Sequence, residues 1–404
     1  MPATLGVLST YVPELVLARL HEGRPDLDGL GIDRGEAAVL FADISGFTAL
    51  TERLATAGPR GSEALSNVLN AYFERLIELI AGHGGDVVKM AGDALIATWP
   101  AGEGRPLDAC TRRAAACGLE VQATLQDYPV GEGIRLSSKV GLGAGEVAWM
   151  FVGGVRDRWE LLLAGSPLVQ MGEAEHLARP GDVVLSAEAW ARVADRAVGD
   201  PLGEGFVRLR WAEPIAPAPR APVEIGDWGA PLVRSFVPGA IRARLDAGQD
   251  GWLAELRRLS VLFVNVPLME LEGPEAGPRA DRVVRLVQAR LYAHEGSLNK
   301  LSVDEKGTTL VAAFGLPPLA HKDDATRALR ASLAPFRASP LLLPVPPEVP
   351  RLVLLGESDP RFDLGALRDA GLAFESIPRG GHWLPEERPD PVAAALMTFF
   401  GAHL

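Results

Sequence analysis

The sequence has few of the residues that several classes of protein depend on. Its two cysteines, Cys110 and Cys117, are seven residues apart, with no CxxC motif and no histidine cluster, so we expect reduced, buried thiols rather than a zinc site. No apolar run reaches the roughly 18–20 residues of a membrane helix. A signal peptide carries positive charge ahead of its apolar part, and the N-terminus of this chain does not. We therefore expect a cytoplasmic protein with no membrane association.

The chain also has few lysines and no cluster of basic residues. The chain has no basic block and its formal net charge is −12, which argues against nucleic acid as a partner. Nearly all of its basic residues are arginines, and only five are lysines, at positions 89, 139, 300, 306 and 322. What is present is ordinary for a soluble protein of two to three domains: 404 residues, 48% hydrophobic and 23% charged.

Two segments of the chain repeat one order of predicted elements. Each opens with a β-branched and aromatic run (37–50 and 259–271), continues as a helix, and ends in a strand pair (82–99 and 293–314). The order β-α-β-β predicts a ferredoxin-like α+β layer with helices on one face of its sheet. Beyond the first copy, the glycine-rich run at 139–154 predicts a hairpin.

Two aspartates of the first copy are candidates for chemistry. Asp43 ends the first predicted strand, and Asp93 lies in the turn of the strand pair, so the two can meet at one edge of the sheet. Neighbouring carboxylates repel each other unless a divalent cation joins them, which predicts Mg²⁺ or Mn²⁺. The residues alone leave open a pair of turn or cap aspartates.

The wider pattern resembles a known family. FADISGFTALTERL, followed by GGDVVKMAGDALIATW, resembles the class III nucleotide cyclase catalytic domain. The resemblance is closest to the soluble, bicarbonate-responsive adenylyl cyclases, which carry two cyclase-homology domains in tandem, and it covers about 1–337. It implies conversion of ATP to cyclic AMP and pyrophosphate by two-metal catalysis in intracellular signalling.

The resemblance also implies roles for individual residues. Asp43 and Asp93 match the aspartates that bind two Mg²⁺ or Mn²⁺ ions, and Lys89 matches the lysine that holds the bicarbonate activator. The implied nucleotide-binding residues are Ile44, Ser45, Gly46, Phe47 and Thr48 in the turn after the first strand, Lys139 near the terminal phosphates, and Lys300 at the adenine edge.

The second copy departs from the family pattern. Asn265 stands where Asp43 stands in the first copy, which implies one productive site in a monomer that forms an internal pseudo-dimer. The copy ends after 324–336, without the stretch whose Asn and Arg stabilise the transition state. The arginine that would hold bicarbonate is not evident, since its position falls near Gly172. The alternative is therefore a catalytically weak pseudo-cyclase that binds Mg-ATP as a regulatory or sensor module.

The C-terminal tail resembles the end of an α/β-hydrolase. Asp359 matches the catalytic acid and His382 the base, but no G-x-S-x-G nucleophile motif occurs, so a hydrolase is not predicted. The fold class is thus α+β: a ferredoxin-like cyclase domain, a partial second copy and a short α/β segment. The predicted boundaries are a lead segment (1–33), the first domain (34–212), a linker (213–256), the partial second domain (257–339) and the tail (340–404).

Overall fold

The structure is a computed structural model that describes residues 5–22, 27, 32–47, 50–51, 54, 59–91, 93–130, 134–248, 259–266, 276–304, 307–333, 354–356 and 375–377. Thr48, Asp359 and His382 lie outside the described residues, as does the side chain of Asn265. The chain divides into two compact units: residues 1–257, 265–281 and 300–309 form one, and 258–264, 282–299 and 310–404 form the other. These units differ from the predicted domain boundaries, which stay predictions.

The helices and strands follow one another in the order that the repeat predicts. The helices are α1 (Leu5–Ser9), α2 (Glu14–His21), α3 (Pro59–Gly82), α4 (Leu107–Leu125), α5 (Ser166–Leu177), α6 (Ala187–Ala191), α7 (Ala230–Phe236), α8 (Gly239–Asp246), α9 (Ala276–Ala293) and α10 (Asp324–Leu333). The strands are β1 (Asp33–Ser45), β2 (Asp86–Ala91), β3 (Ala94–Pro100), β4 (Tyr128–Pro129), β5 (Arg135–Gly153), β6 (Trp159–Ala164), β7 (Val183–Leu185), β8 (Ala197–Gly203), β9 (Phe206–Ala212), β10 (Ser260–Val266), β11 (Ser297–Asp304), β12 (Gly307–Phe314), β13 (Leu354–Gly356) and β14 (Glu375–Ile377).

The large sheet confirms the β-α-β-β order of the first copy. Its strands run β2-β3-β1-β5-β7-β9-β8, and β4 and β6 also pair with β5. The second copy forms a three-stranded sheet in the order β10-β12-β11, and β13 pairs in parallel with β14. The mixed α+β class is therefore confirmed. No helix among the described residues is both long and apolar enough to cross a bilayer.

The predicted hairpin over 139–154 is wrong. Residues Arg135–Gly153 form one long strand, which pairs with β1 over residues 137–149 and with β6 over residues 148–153. The glycines of this stretch do not turn the chain. They bring another helix close to the strand, as described for the site below.

Helices cover both faces of the large sheet, not one. On one face, α3 and α4 pack against it through a cluster that includes Leu76, Trp99 and Val121. On the other face, the lead helices and α7 pack against Val39 and Phe151. The predicted linker therefore contributes a core helix, because Val233 and Phe236 of α7 are buried in this second cluster. Such apolar burial stabilises the sheet from both sides.

The lead segment is tied to the sheet by a buried carboxylate. Asp86 at the start of β2 accepts hydrogen bonds from the backbone N–H groups of Glu14 and Leu15, at 3.0 and 2.9 Å. These N–H groups open α2 and have no partner within the helix. Asp86 thus caps a helix that lies more than seventy residues earlier in the chain.

Replacing Asp86 by alanine is expected to lower the free energy of unfolding by about 1–3 kcal/mol, because two N–H donors lose their acceptor. Urea unfolding measures the change. Asp108→Ala is the matched control, since that carboxylate is half exposed in its ion pair with Arg192 and should cost under about 1 kcal/mol. Equal losses in the two variants would contradict the capping role.

Candidate functional site

The edge of the sheet brings the two predicted aspartates together. Ala91 at the end of β2 is paired with Ala94 at the start of β3, and Asp93 lies in a turn between them, where the sequence predicts one. The backbone N–H of Ile44 donates to the carbonyl oxygen of Asp93 at 3.1 Å. Asp43 is one residue earlier, opposite Ala94 in the register of β1 and β3. One backbone hydrogen bond therefore fixes both aspartates at one end of the strand pair.

Lys139 meets the same edge from the other side. In the antiparallel pairing of β1 with β5, Lys139 lies directly opposite Asp43. Its Nζ is 3.7 Å from Oδ2 of Asp43, and both side chains are about three-quarters buried. Directly opposed residues of neighbouring strands have close Cβ atoms, so this contact follows from the register.

A glutamate that the sequence did not point to completes the cluster. Glu175 of α5 forms a hydrogen-bonded ion pair with Lys139, and only 7% of its side chain is exposed. Two glycines of β5 let α5 approach. A Cβ on Gly141 would stand 2.1 Å from the carbonyl oxygen of Met171, and one on Gly143 would stand 2.4 Å from that of Pro167. Any larger residue would push the helix away.

The charges of the clustered side chains change the pKa of Asp43. The pKa of Asp43 is raised to about 6. Burial is the largest cause, the neighbouring charges of Asp93 and Glu175 act in the same direction, and Lys139 opposes them. Burial raises the pKa of Tyr72 to about 12, and the charge of Asp43 adds to that effect. The site thus concentrates negative charge in a partly desolvated place, an arrangement that favours a cation.

The donor set fits a divalent cation of the magnesium type. Mg²⁺ prefers oxygen ligands and commonly takes one or two carboxylates together with substrate phosphates. Asp43 and Asp93 supply such carboxylates, and their mutual repulsion is what a cation would relieve. Among the described residues, no group of three or more His, Cys, Asp or Glu side chains could hold a metal ion alone. The site therefore suits a metal that arrives with phosphate oxygens.

The predicted phosphate turn follows directly after Asp43. Gly46 has φ +93°, and the backbone N–H of Leu50 donates to its carbonyl oxygen. A Cβ at Gly46 would also stand 3.2 Å from the carbonyl oxygen of Arg135. The chain can therefore leave the strand and enter the helical residues at Phe47 sharply only with glycine at this position.

Lys89 lies elsewhere, on the face of the sheet that carries the lead helices. Burial lowers the pKa of Lys89 to about 8, the charge of Glu160 raises it, and that of Lys300 lowers it. Glu160 is itself buried, with its Oε1 2.9 Å from Nη2 of Arg158. The cavity beside Lys89 has a volume of about 10 Å³, room for one water molecule. Its other lining residues are Val88, Ile96, Leu161, Leu163, Leu168 and Ser302.

The pKa of Lys89 gives a pH prediction. The folded pKa of about 8 lies below the usual 10.5, so between these values the unfolded chain binds more protons and stability rises with pH. We expect the unfolding free energy of the wild-type chain, relative to Lys89→Met, to rise from pH 8 to pH 10. Urea titrations across this range measure it. Lys322→Met, which removes an exposed lysine, should show no such trend, and a flat Lys89 difference would contradict the prediction.

The structure thus brings some predicted residues together and separates others. Asp43, Asp93 and Lys139 share the sheet edge, while Lys300 acts on Lys89. Sequence reasoning missed Glu175, although a signal was present. Leu168, Met171 and Glu175 are spaced i, i+3, i+7 on α5, so the glutamate continues a buried helix face on which a charge needs a partner.

Comparisons with known proteins find related cyclases. The family model described as "Adenylate and Guanylate cyclase catalytic domain" matches residues 33–194. Adenylate cyclase type 10 of Homo sapiens is 26% identical over 371 residues, which cover 81% of this chain and 22% of that protein. An adenylate cyclase of Mycobacterium tuberculosis (strain H37Rv) is 29% identical over 192 residues, covering 47% and 40%. The chain therefore spans about a fifth of the length of the type 10 relatives it matches.

Two solved structures are also similar. The adenylyl cyclase CyaB from P. aeruginosa has a TM-score of 0.39 and 21% identity, covering 46% of this chain and 98% of that one. The guanylyl cyclase Cya2 has a TM-score of 0.38 and 25% identity, covering 46% and 96%.

Proposed function

Because residues 33–194 belong to the adenylate and guanylate cyclase catalytic domain family, we propose that this chain converts ATP to cyclic AMP and pyrophosphate with divalent cations. The observation that carries the proposal is the placement of Asp43 and Asp93 at one sheet edge, joined by the hydrogen bond from Ile44 to Asp93. Homologues of this family use divalent metal ions and bind nucleotide substrates.

The reaction joins the ribose 3′-oxygen to the α-phosphorus and breaks the bond from that phosphorus to the bridging oxygen, releasing pyrophosphate and a proton. Bound divalent cations supply the Lewis acidity that lowers the pKa of the hydroxyl and neutralises phosphate charge. Asp43 and Asp93 would hold the cations, and the turn at Ile44, Ser45 and Gly46 would receive the phosphates. Lys139, which is already at the edge, can meet their negative charge.

Three finer features belong to the same proposal. We propose two Mg²⁺ or Mn²⁺ ions, since two carboxylates and a triphosphate offer enough oxygens for both. ATP rather than GTP depends on Lys300, whose role at the adenine edge comes from the family resemblance. A monomer with an internal pseudo-dimer is supported by the repeated β-α-β-β order, whereas the role in cytoplasmic signalling comes from the family resemblance.

For bicarbonate at Lys89, the local charge and the local space point in opposite directions. A buried ammonium suits a small anion, and the charge of Lys300 strengthens that preference. However, Glu160 already supplies a nearby negative charge, and the cavity of about 10 Å³ is too small for the anion unless side chains move.

The test is cyclic AMP formation by the purified chain from Mg-ATP or Mn-ATP, with GTP in parallel. Cyclic AMP that requires the metal supports the proposal. Metal-dependent ATP binding without any product would instead make the chain a pseudo-cyclase with a regulatory role. If the chain forms no cyclic AMP and does not bind ATP, both functions are overturned.

A further inference from the structure

We propose that Glu175 is a positioning residue that holds Lys139 away from Asp43 and so keeps that carboxylate available for a metal ion. The inference rests on the proposed function, which assigns the metal to Asp43 and Asp93. It adds a residue that neither the sequence nor the family comparison singles out. Its basis is the sharing of one ammonium group between two carboxylates.

The contacts show which carboxylate has the stronger hold. Lys139 Nζ makes a hydrogen-bonded ion pair with Oε1 of Glu175, whereas its distance to Oδ2 of Asp43 is 3.7 Å, beyond hydrogen-bond range. The ammonium can give a direct hydrogen bond to Asp43 only by moving toward it. Glu175 therefore sets the position of a cation that would otherwise neutralise Asp43.

The backbone makes Glu175 a fixed anchor. α5 crosses β5 so closely that a Cβ at Gly141 would meet the backbone N of Glu175 at 2.6 Å. The Glu175 side chain is 7% exposed, so water offers its carboxylate little competition for Lys139. A buried carboxylate that loses its cation is strongly disfavoured, which resists release of the pair.

The charges around Asp43 explain why this anchor matters. Asp43, Asp93 and Glu175 are three negative charges that act together, and Lys139 is the cation that opposes them. With Glu175 neutral, Lys139 would keep its charge and have Asp43 as its remaining carboxylate contact. A metal ion would then have to displace an ammonium before it could bind.

The experiment measures Mn²⁺ binding to the full chain by electron paramagnetic resonance, with an α,β-methylene analogue of ATP present so that no turnover occurs. Glu175→Gln should raise the Mn²⁺ dissociation constant about tenfold, a typical effect of losing a group that orients a metal ligand. Glu173→Gln, an exposed glutamate on the same helix, is the matched control and should leave it unchanged.

A second variant separates positioning from a merely structural role. Lys139→Met is therefore made alone and together with Glu175→Gln, so that the loss of the phosphate contact of Lys139 is common to both variants. With no ammonium to compete for Asp43, adding Glu175→Gln to Lys139→Met should change the Mn²⁺ dissociation constant by less than about threefold, a coupling between the two positions. Glu175→Asp keeps the charge on a shorter side chain, and its dissociation constant should lie between the wild type and Glu175→Gln. This variant serves if Glu175→Gln does not fold.

Two results would overturn the inference: unchanged Mn²⁺ affinity in the Glu175 variants, or a loss of affinity on Glu175→Gln that is as large in the Lys139→Met background as in the wild type. The proposed function fails differently. If the wild-type chain binds Mn²⁺ no better than Asp43→Asn does, the metal site itself is wrong. If Asp43→Asn abolishes binding and Glu175→Gln does not weaken it, only the role of Glu175 falls.

Discussion

Replacing Asp43 by asparagine is expected to reduce cyclic AMP formation by about 10³-fold, because the cation that offsets charge at the reacting phosphates loses a carboxylate ligand. Asn has the shape of Asp but lacks the charge that holds a cation. Asp93→Asn should behave in the same way, since the two carboxylates share the sheet edge. Mass-spectrometric detection of cyclic AMP from Mn-ATP measures the loss. Asp33→Asn, at the opposite end of β1, is the control and should stay within about threefold of the wild type.

Asp43→Asn should raise the stability of the fold while it removes cyclase activity. The pKa of Asp43 is raised to about 6, so the folded chain disfavours the carboxylate that is present at neutral pH. Asn removes that penalty. We therefore expect Asp43→Asn to unfold at a higher temperature than the wild type at pH 7, and the difference to vanish as the pH falls below about 4. Loss of activity together with loss of stability would instead mean that Asp43 supports the fold.

Replacing Gly141 by alanine is expected to destabilise the chain by about 2–3 kcal/mol and to weaken the site at the same time. The added Cβ would stand 2.1 Å from the carbonyl oxygen of Met171 and 2.6 Å from the backbone N of Glu175. Both atoms belong to the backbone of α5, so the helix itself must move, and Glu175 moves with it. Urea unfolding gives the stability change, and Mn²⁺ binding gives the effect on the site.

The matched control for Gly141 is on the opposing helix. Apart from its two chain neighbours and the nearby backbone of α5 itself, a Cβ added at Gly172 would have no atom within 4 Å. Gly172→Ala therefore meets no obstacle and should be neutral or slightly stabilising within a helix. If Gly141→Ala is as mild as Gly172→Ala, then α5 does not need the close approach to β5.

Local sequence signals were enough to predict the paired aspartates. A β-branched run ends at Asp43, and a two-residue turn places Asp93 beside the next strand, so both positions follow from short-range rules. Lys139 was matched to the site through the family resemblance. Its contact with Asp43 depends on the register of β1 with β5, which joins residues almost a hundred positions apart.

The helical spacing of Glu175 marks it as a buried charge, but its contact with Lys139 could not be predicted, because that contact depends on how α5 crosses the sheet. The run around Gly141, Gly143 and Gly145 was interpreted as a hairpin, since glycine commonly marks turns. In the structure these glycines stay within one strand, and two of them make room for a helix. The attachment of the lead segment to the sheet could not be predicted for a similar reason. The cap that Asp86 provides for α2 is a contact between distant parts of the chain.

The central claim is that Asp43 and Asp93 together hold the cation that binds the nucleotide phosphates. A crystal of the chain grown with Mn²⁺ and the α,β-methylene analogue of ATP tests it directly, through the anomalous scattering of manganese. We expect a manganese peak within about 2.0–2.3 Å of carboxylate oxygens of both aspartates, with phosphate oxygens completing its coordination. Bound nucleotide with manganese at neither aspartate would contradict it.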